Sequence, residues 1–183
     1  STFVHKGVQY LIWSGWPKRR IMEETQCIYI AKMKNPWTLD GERIMLSSPE
    51  YNWERQWVNP DGSRTAYPIY VNEAPTFLYS KDKKNLIILD PKSWKKTTDP
   101  VFYQSPQDSV WGPGSPSFIP SPDSTEWYML YNARNIPNGI TGESESRTPR
   151  LQKISWDENN MPILGKPVRL GKPLPKPSGI VKK

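Results

Sequence analysis

The chain has 183 residues, a formal net charge of +7 and a single cysteine. That length suits one domain with a sizeable core, and one cysteine excludes an intrachain disulfide. Lys and Arg are spread along the chain without a helix-turn-helix, zinc or RNA-binding signature, so the sequence does not indicate a nucleic-acid partner. It also shows no signal peptide and no apolar run that could span a bilayer, so we expect no membrane partner.

The composition predicts an all-β domain. Nine Trp, nine Tyr and twenty Pro are many for this length, and long runs with helical periodicity are missing. In chain order, alternating or apolar patterns predict strands at 3–5, 9–13, 25–33 and 43–46, followed by a polar, Trp-containing loop at 47–70. Further strands are predicted at 71–80, 85–89, 101–104, 117–119, 126–133, 151–156 and 163–164.

A similar succession of strands and turns occurs three times along the chain. Trp37, Trp94 and Trp156 each lie in or at a turn that follows a strand, which indicates three four-stranded antiparallel units of similar length. Units of this kind arranged radially are propeller blades, and three blades do not close a ring. We therefore expect about three blades within residues 1–170 and a Pro- and Lys-rich tail at 171–183.

Glu73 stands at the head of the predicted 71–80 strand. Its apolar neighbours Val71, Ala74 and Pro75 favour the protonated form of a carboxyl, which a general acid needs. The local pattern also fits a solvated Glu at the end of a strand.

Other residues carry weaker signals. An aromatic side chain can stack on the apolar face of a sugar or pack between blades, and both interpretations apply to the same four residues: Trp13, Trp16, Trp53 and Trp57. Cys27, on an alternating strand, is expected to be a buried thiol and not a nucleophile. No metal-binding, phosphate-binding or catalytic-triad pattern is visible, so we predict neither a cofactor nor a metal.

Eight short motifs occur in the order found in the family 43 glycoside hydrolases. They are YLIWSGW at 10–16, IYIAKMKNPWTL at 28–39, SPEYNWE at 48–54, VNEAP at 71–75, LDPKSW at 89–94, WGPG at 111–114, SPD at 121–123 and RLQK at 150–153. The motifs are distributed along most of the chain, which resembles the C-terminal part of the catalytic domain in the α-L-arabinofuranosidase-like members. The resemblance implies a β-propeller of the five-bladed type.

The resemblance also implies a reaction and a set of site residues. Such enzymes are inverting, and Glu73 matches their general acid. The implied substrate is an arabinose-containing plant polysaccharide, arabinan or arabinoxylan, and the implied location is extracellular. Substrate contacts are expected from the four Trp residues named above, from Ser115, which stands where the family has His, and from Arg150, with Arg147 as an alternative arginine.

The departures from the family predict impaired catalysis. The family's general base and the Asp that sets the pKa of the acid would fall before Ser1, so neither has a counterpart in this sequence. We expect weak or absent turnover. Two alternatives remain: a non-catalytic carbohydrate-binding module and an inactive truncated or mis-spliced fragment. An open set of blades would also expose apolar faces, which predicts self-association through the blade edges.

Overall fold

The computed structural model describes residues 1–18, 25–58, 64–81, 88–137 and 147–180, without the side chains of 52, 55–58 and 64–69. In this part of the chain the regular structure is β-sheet with three short 3₁₀ turns. It contains no helix with the length and apolarity that a membrane crossing needs. The chain divides into two compact units, Ser1–Phe77 with Asn85–Pro100, and Leu78–Lys84 with Val101–Lys183.

The first unit is built around one long strand. Its strands are β1 Thr2–His5, β2 Val8–Gly15, β3 Thr25–Asn35, β4 Thr38–Leu39, β5 Ile44–Ser47, β6 Arg55–Val58 and β7 Arg64–Val71. Antiparallel β1 and β2 lie on one side of β3, while β5 and the short β4 pair with its other side. The start of β3 pairs in parallel with the end of β7, which β6 flanks.

The core of the first unit follows from the alternation along β3. Cys27, Tyr29, Ala31 and Met33 point to one face and are buried, and Ile30 is buried on the other. The predicted burial of Cys27 is found, and this burial raises the pKa of its thiol. At the chain start the Ser1 ammonium donates to the Ile12 carbonyl at 2.9 Å, which ties that end to the β1–β2 hairpin.

The second unit contains a four-stranded antiparallel sheet. Its strands are β8 Trp111–Pro120, β9 Trp127–Arg134, β10 Thr148–Trp156 and β11 Pro162–Ile163, in the spatial order β11-β10-β9-β8. Sequential neighbours pair throughout, which is the arrangement expected of one propeller blade. One face packs around a buried cluster of Val110, Met129, Tyr131, Ala133 and Ile154.

The C-terminal segment is held to the turn between β8 and β9. The Ser178 amide donates to Glu126 Oε2 at 3.0 Å, and the Ser178 hydroxyl donates to Asp123 Oδ1 at 2.7 Å. The division into a domain at 1–170 and a tail at 171–183 stays a prediction.

Several predicted elements are wrong. The interval 47–70, predicted as a loop, contains β6 and β7. The strand predicted at 71–80 ends at Val71: Ala74 has a left-handed φ of 52° and Pro75 has no N–H for a sheet ladder, so the chain leaves the sheet there. Residues 101–104 form bends and not a strand, and most of the strand predicted at 85–89 lies outside the described residues.

Candidate functional site

Glu73 occupies the segment that leaves β7, and its backbone is fixed on both sides. On one side the Asn72 amide donates to the Gln26 carbonyl of β3 at 2.9 Å. On the other the Ala74 amide donates to the hydroxyl of Ser14 on β2 at 2.9 Å. Glu73 is itself exposed. Of the two interpretations that the sequence left open, the exposure of Glu73 agrees with a solvated carboxyl and not with one desolvated by its apolar neighbours, so the carboxyl group is open to a ligand.

A buried carboxylate, that of Glu54, contacts Asn72, the residue before Glu73. Glu54, on the 3₁₀ turn Asn52–Glu54, is 2% exposed. Its Oε2 accepts hydrogen bonds from the amides of Glu50 at 2.6 Å and Tyr51 at 2.8 Å. Its Oε1 accepts from Asn72 Nδ2 at 2.6 Å and forms an ion pair with Lys96. The carboxylate of Glu54 thus links its own turn to the residue that precedes Glu73.

Opposing effects act on the protonation of Glu54. Burial favours the neutral form and raises its pKa, whereas the Lys96 ammonium and the donors of Tyr51, Glu50 and Asn72 favour the carboxylate. The second set prevails, so the pKa of Glu54 is lowered from its ordinary value of 4.5. Glu54 is therefore a charged structural group at neutral pH.

The aromatic candidates differ in exposure. Trp13 on β2 is partly buried and stacks on Tyr29 with a centroid distance of 6.0 Å. Trp16, just after β2, is also partly buried. Trp53 is 38% exposed and lies nearly parallel to Tyr51, at 6.3 Å between centroids and 12° between planes. Its indole N–H donates to the Thr98 carbonyl at 2.8 Å, which fixes the ring.

Trp57 lies on β6, and its side chain is outside the described part of the structure. Among the aromatic candidates whose side chains are described, Trp53 therefore offers the most open flat surface. A ring held by its own hydrogen bond loses little conformational entropy when a sugar stacks on it.

The remaining candidates lie in the second unit. Ser115 on β8 is exposed, with a left-handed φ of 50°. Arg150 on β10 is 6% exposed, and it donates to the Val168 carbonyl at 2.9 Å and to Asn135 Oδ1 at 2.5 Å. Arg147 is exposed and donates to the Gly112 carbonyl at 2.8 Å and to Asn132 Oδ1 at 3.0 Å. Of the two arginines, Arg147 has the guanidinium that a ligand could reach.

The structure thus groups the candidates by unit. On one side of Glu73, the Ala74 amide binds Ser14, which follows Trp13 on β2. On the other side, the Asn72 side chain binds Glu54 in the turn that also carries Trp53. The sequence did not indicate that Glu54, Asn72 and Lys96 contact one another, although Glu54 closes the SPEYNWE motif and Asn72 adjoins Glu73. Among the described residues no cluster of three or more His, Cys, Asp or Glu side chains could hold a metal ion.

Comparison with known proteins identifies relatives for nearly the whole chain. Residues 1–162 match the model of glycosyl hydrolases family 43. The chain is 30% identical to the alpha-L-arabinofuranosidase 43 of Humicola insolens, over 92% of this chain and 37% of that protein. It is also 30% identical to an extracellular exo-alpha-(1->5)-L-arabinofuranosidase of Streptomyces avermitilis, over 93% of this chain and 38% of the relative. The chain therefore spans less than two fifths of the length of these curated relatives.

Solved structures show the same relationship. The alpha-L-arabinofuranosidase of Lactobacillus brevis is 27% identical, with a TM-score of 0.76 over 94% of this chain and 57% of that chain. A thermostable family-43 glycoside hydrolase shares the fold at 19% identity, with a TM-score of 0.67 over 97% of this chain and 59% of its own length. These matches confirm the predicted all-β fold of the five-bladed propeller type, of which this chain contains a part. The chain belongs to glycosyl hydrolase family 43.

Proposed function

We propose that this chain carries the general-acid part of an inverting α-L-arabinofuranosidase site, with Glu73 as the proton donor. The observation that carries the proposal is the exposed Glu73 carboxyl on a backbone fixed at both neighbouring residues. A proton donor must be held in a defined position and remain accessible to the leaving group, and this segment meets both conditions. Family membership and the names of the relatives support the same assignment.

In this reaction Glu73 donates its proton to the glycosidic oxygen as the bond between that oxygen and the anomeric carbon breaks. Water adds to the opposite face of the sugar after a second carboxylate, roughly 6.5–9.5 Å from the first, removes its proton. From the resemblance to the family we propose that its general base has no counterpart among these 183 residues, so that this chain by itself activates water poorly. General acid and base groups are each typically worth about 10²–10⁴ in rate.

The proposed substrate is an arabinose-containing plant polysaccharide of the arabinan or arabinoxylan type. Within the first unit, Trp53 supplies an exposed, fixed ring on which a sugar could stack. Because relatives are named as extracellular enzymes, we propose that this protein also acts outside the cell. Self-association through open blade edges stays a prediction.

The test uses chemical rescue, in which azide replaces the activated water, so that the role of Glu73 as general acid can be measured without a general base. Azide can attack the anomeric carbon from the face opposite the leaving group, which forms an inverted arabinosyl azide. The leaving group departs as the neutral phenol when Glu73 donates its proton and as the aryloxide when no proton is donated. Phenyl α-L-arabinofuranoside has a poor leaving group that needs the proton of Glu73, whereas 4-nitrophenolate leaves without it. We expect Glu73→Gln to lower azide-dependent turnover of the phenyl substrate by about 10²-fold or more, and that of the 4-nitrophenyl substrate far less.

The matched control is Glu42→Gln, which neutralises an exposed carboxylate of the same unit and should leave both rates unchanged. An equal loss on both substrates in Glu73→Gln, or no azide-dependent turnover by the wild type, would contradict the assignment of Glu73. Rapid turnover without azide would instead contradict the absence of a base.

A second candidate function is non-catalytic carbohydrate binding. The observation in its favour is the nearly parallel pair of Tyr51 and Trp53, the latter exposed and fixed to the Thr98 carbonyl. Calorimetry with arabinose oligomers distinguishes the two functions when it is combined with the rescue experiment. Binding that Trp53→Ala abolishes, in a protein that azide does not rescue, would favour the binding module.

A further inference from the structure

The buried Glu54 makes more contacts than its own turn requires. Two of its hydrogen bonds close the turn through the amides of Glu50 and Tyr51. The remaining two contacts leave the turn and reach Asn72 and Lys96. A charged group this deeply buried is costly unless all of its acceptor sites are satisfied, so the positions of these partners are tightly restrained.

Asn72 is restrained on three sides. Its Nδ2 donates to Glu54 at 2.6 Å, and its Oδ1 accepts from the Ser47 hydroxyl of β5 at 2.7 Å. Its backbone amide donates to the Gln26 carbonyl at 2.9 Å. Lys96 Nζ also lies 3.4 Å from Asn72 Oδ1. Both ends of the side-chain amide are therefore engaged, which fixes the orientation of the residue as well as its place.

The position of Asn72 determines that of Glu73. Glu73 is the next residue, and Ala74 beyond it is bound to Ser14 Oγ and has a left-handed φ of 52°. A non-glycine residue adopts that conformation at a cost, and it persists only where the surroundings impose it. The segment 72–74 is thus a short bridge between two fixed points, with the exposed carboxyl at its centre.

We propose that Glu54 is a positioning residue for Glu73: through Asn72, it holds the backbone that carries the proton donor. Lys96 serves Glu54 by compensating its charge. This inference rests on the proposed function for its catalytic meaning, but the restraint on the segment 72–74 can be measured without activity. Glu54 is not expected to touch the substrate, because its side chain is buried and its oxygens are occupied by protein donors.

The first measurement is amide hydrogen exchange at Ala74, whose N–H reports the bridge directly. We expect Glu54→Gln and Asn72→Ala to increase exchange at Ala74 roughly tenfold relative to the wild type. Asn72→Ala keeps the ion pair of Glu54 with Lys96, so it tests the link even if Glu54→Gln folds poorly. Ser14→Ala, which removes the acceptor, gives the upper limit of the effect.

The matched control for the exchange measurement is Lys153→Met, which removes an ion pair in the second unit and should leave Ala74 unchanged. Unchanged exchange at Ala74 in Asn72→Ala would overturn the proposal. So would an increase in exchange no larger at Ala74 than at amides throughout the first unit, because that result indicates a general loss of stability.

The second measurement is the ratio of azide-dependent rates on 4-nitrophenyl and phenyl α-L-arabinofuranoside. A misplaced proton donor slows the phenyl substrate selectively, so we expect Asn72→Ala to raise the ratio by about tenfold or more. A purely structural role would lower both rates with the folded fraction and leave the ratio unchanged. If Glu73→Gln changes the ratio but Asn72→Ala does not, the positioning role is wrong while the proposed function stands. If Glu73→Gln leaves the ratio unchanged, the proposed function fails, and the exchange data alone decide the positioning role.

Discussion

Glu54 in the first unit and Glu126 in the second bind similar sets of donors but lie in different environments. Each pairs with one lysine and holds a segment distant in sequence: Glu54 holds Asn72, and Glu126 accepts from the Ser178 amide. The side chains of Glu54 and Lys96 are 1% and 23% exposed, whereas those of Glu126 and Lys153 are 22% and 50% exposed.

The difference in exposure determines what each pair contributes. Solvent screens an exposed ion pair and readily stabilises either partner alone, so its loss costs little. A buried carboxylate whose partner is removed remains as an uncompensated charge, so its loss costs much more. We therefore expect the stability of the first unit to depend strongly on the pair of Glu54 and Lys96. The stability of the second unit should depend only weakly on the pair of Glu126 and Lys153.

The largest expected effect is that of Lys96→Met, which leaves the buried Glu54 charge without its cation. We expect the free energy of unfolding to fall by about 3 kcal/mol, at the low end for a buried pair because Lys96 keeps part of its surface in solvent. Urea denaturation followed by Trp fluorescence measures the change.

The control for Lys96→Met is Lys153→Met, which removes the more exposed pair and should produce only a small fraction of that change. If the two variants lose similar stability, the contrast between buried and exposed pairs is wrong for this protein.

The next effect is the pH dependence that Glu54 confers. The pKa of Glu54 is lower in the folded chain than its ordinary value of 4.5, so the Glu54 carboxylate contributes its full share to the free energy of unfolding above that pH. This stabilisation is lost as the pH falls through the folded-state pKa. We expect Glu54→Gln to be less stable than the wild type at neutral pH and the two stability curves to approach each other below about 4.5. Curves that stay parallel down to acid unfolding would refute the assignment.

Glu126 also contributes to the pH dependence of stability in the acid range. Its pKa is lowered to about 2 by Lys153, Tyr128 and the Ser178 amide. Glu126 is present in both wild type and Glu54→Gln, so its effect on the free energy of unfolding cancels when the two proteins are subtracted at each pH. Urea denaturation at a series of pH values supplies both curves.

The smallest effect concerns backbone strain and not charge. Ala74 and Ser115 have left-handed φ values of 52° and 50°, one in each unit. Glycine adopts this conformation without the steric cost, although it loses more entropy on folding. We expect Ala74→Gly and Ser115→Gly each to raise the free energy of unfolding by roughly 0.5–1 kcal/mol. A loss of stability in Ala74→Gly alone would show that the Ala74 methyl group makes a contact worth more than the strain.

The sequence predicted the strands that carry dense apolar residues between turn signals. Residues 25–33 contain an apolar run at 27–31, and residues 151–156 contain Leu151, Ile154 and Trp156; the two segments lie within β3 and β10. The sequence failed for β7, where Arg64 and Pro68 interrupt the pattern and where part of the pairing is with the distant strand β3. It also failed after Val71, because apolar residues there continue without a neighbouring strand.

The candidate site was predictable only in part. Glu73 was found because it lies in a short motif that resembles those of known enzymes. The pair of Glu54 and Lys96 was missed because the two residues are distant in the chain and neither neighbourhood indicates the other. The sequence left both a desolvated and a solvated Glu73 open and could not decide between them, since burial depends on what packs against the segment in three dimensions.

The two ends of the chain are anchored to different units, which makes them useful as attachment points. The Ser1 ammonium binds the first unit, and Ser178 binds the second. Fluorescent probes near these ends would each move with one unit, so the energy transfer between them would report changes in the separation of the units. Cys27 is the only cysteine and is buried, so introduced thiols could be labelled at chosen sites. A variant with one introduced thiol near each of these two anchored residues would thus suit a two-colour measurement of whether ligand binding changes the distance between the probes.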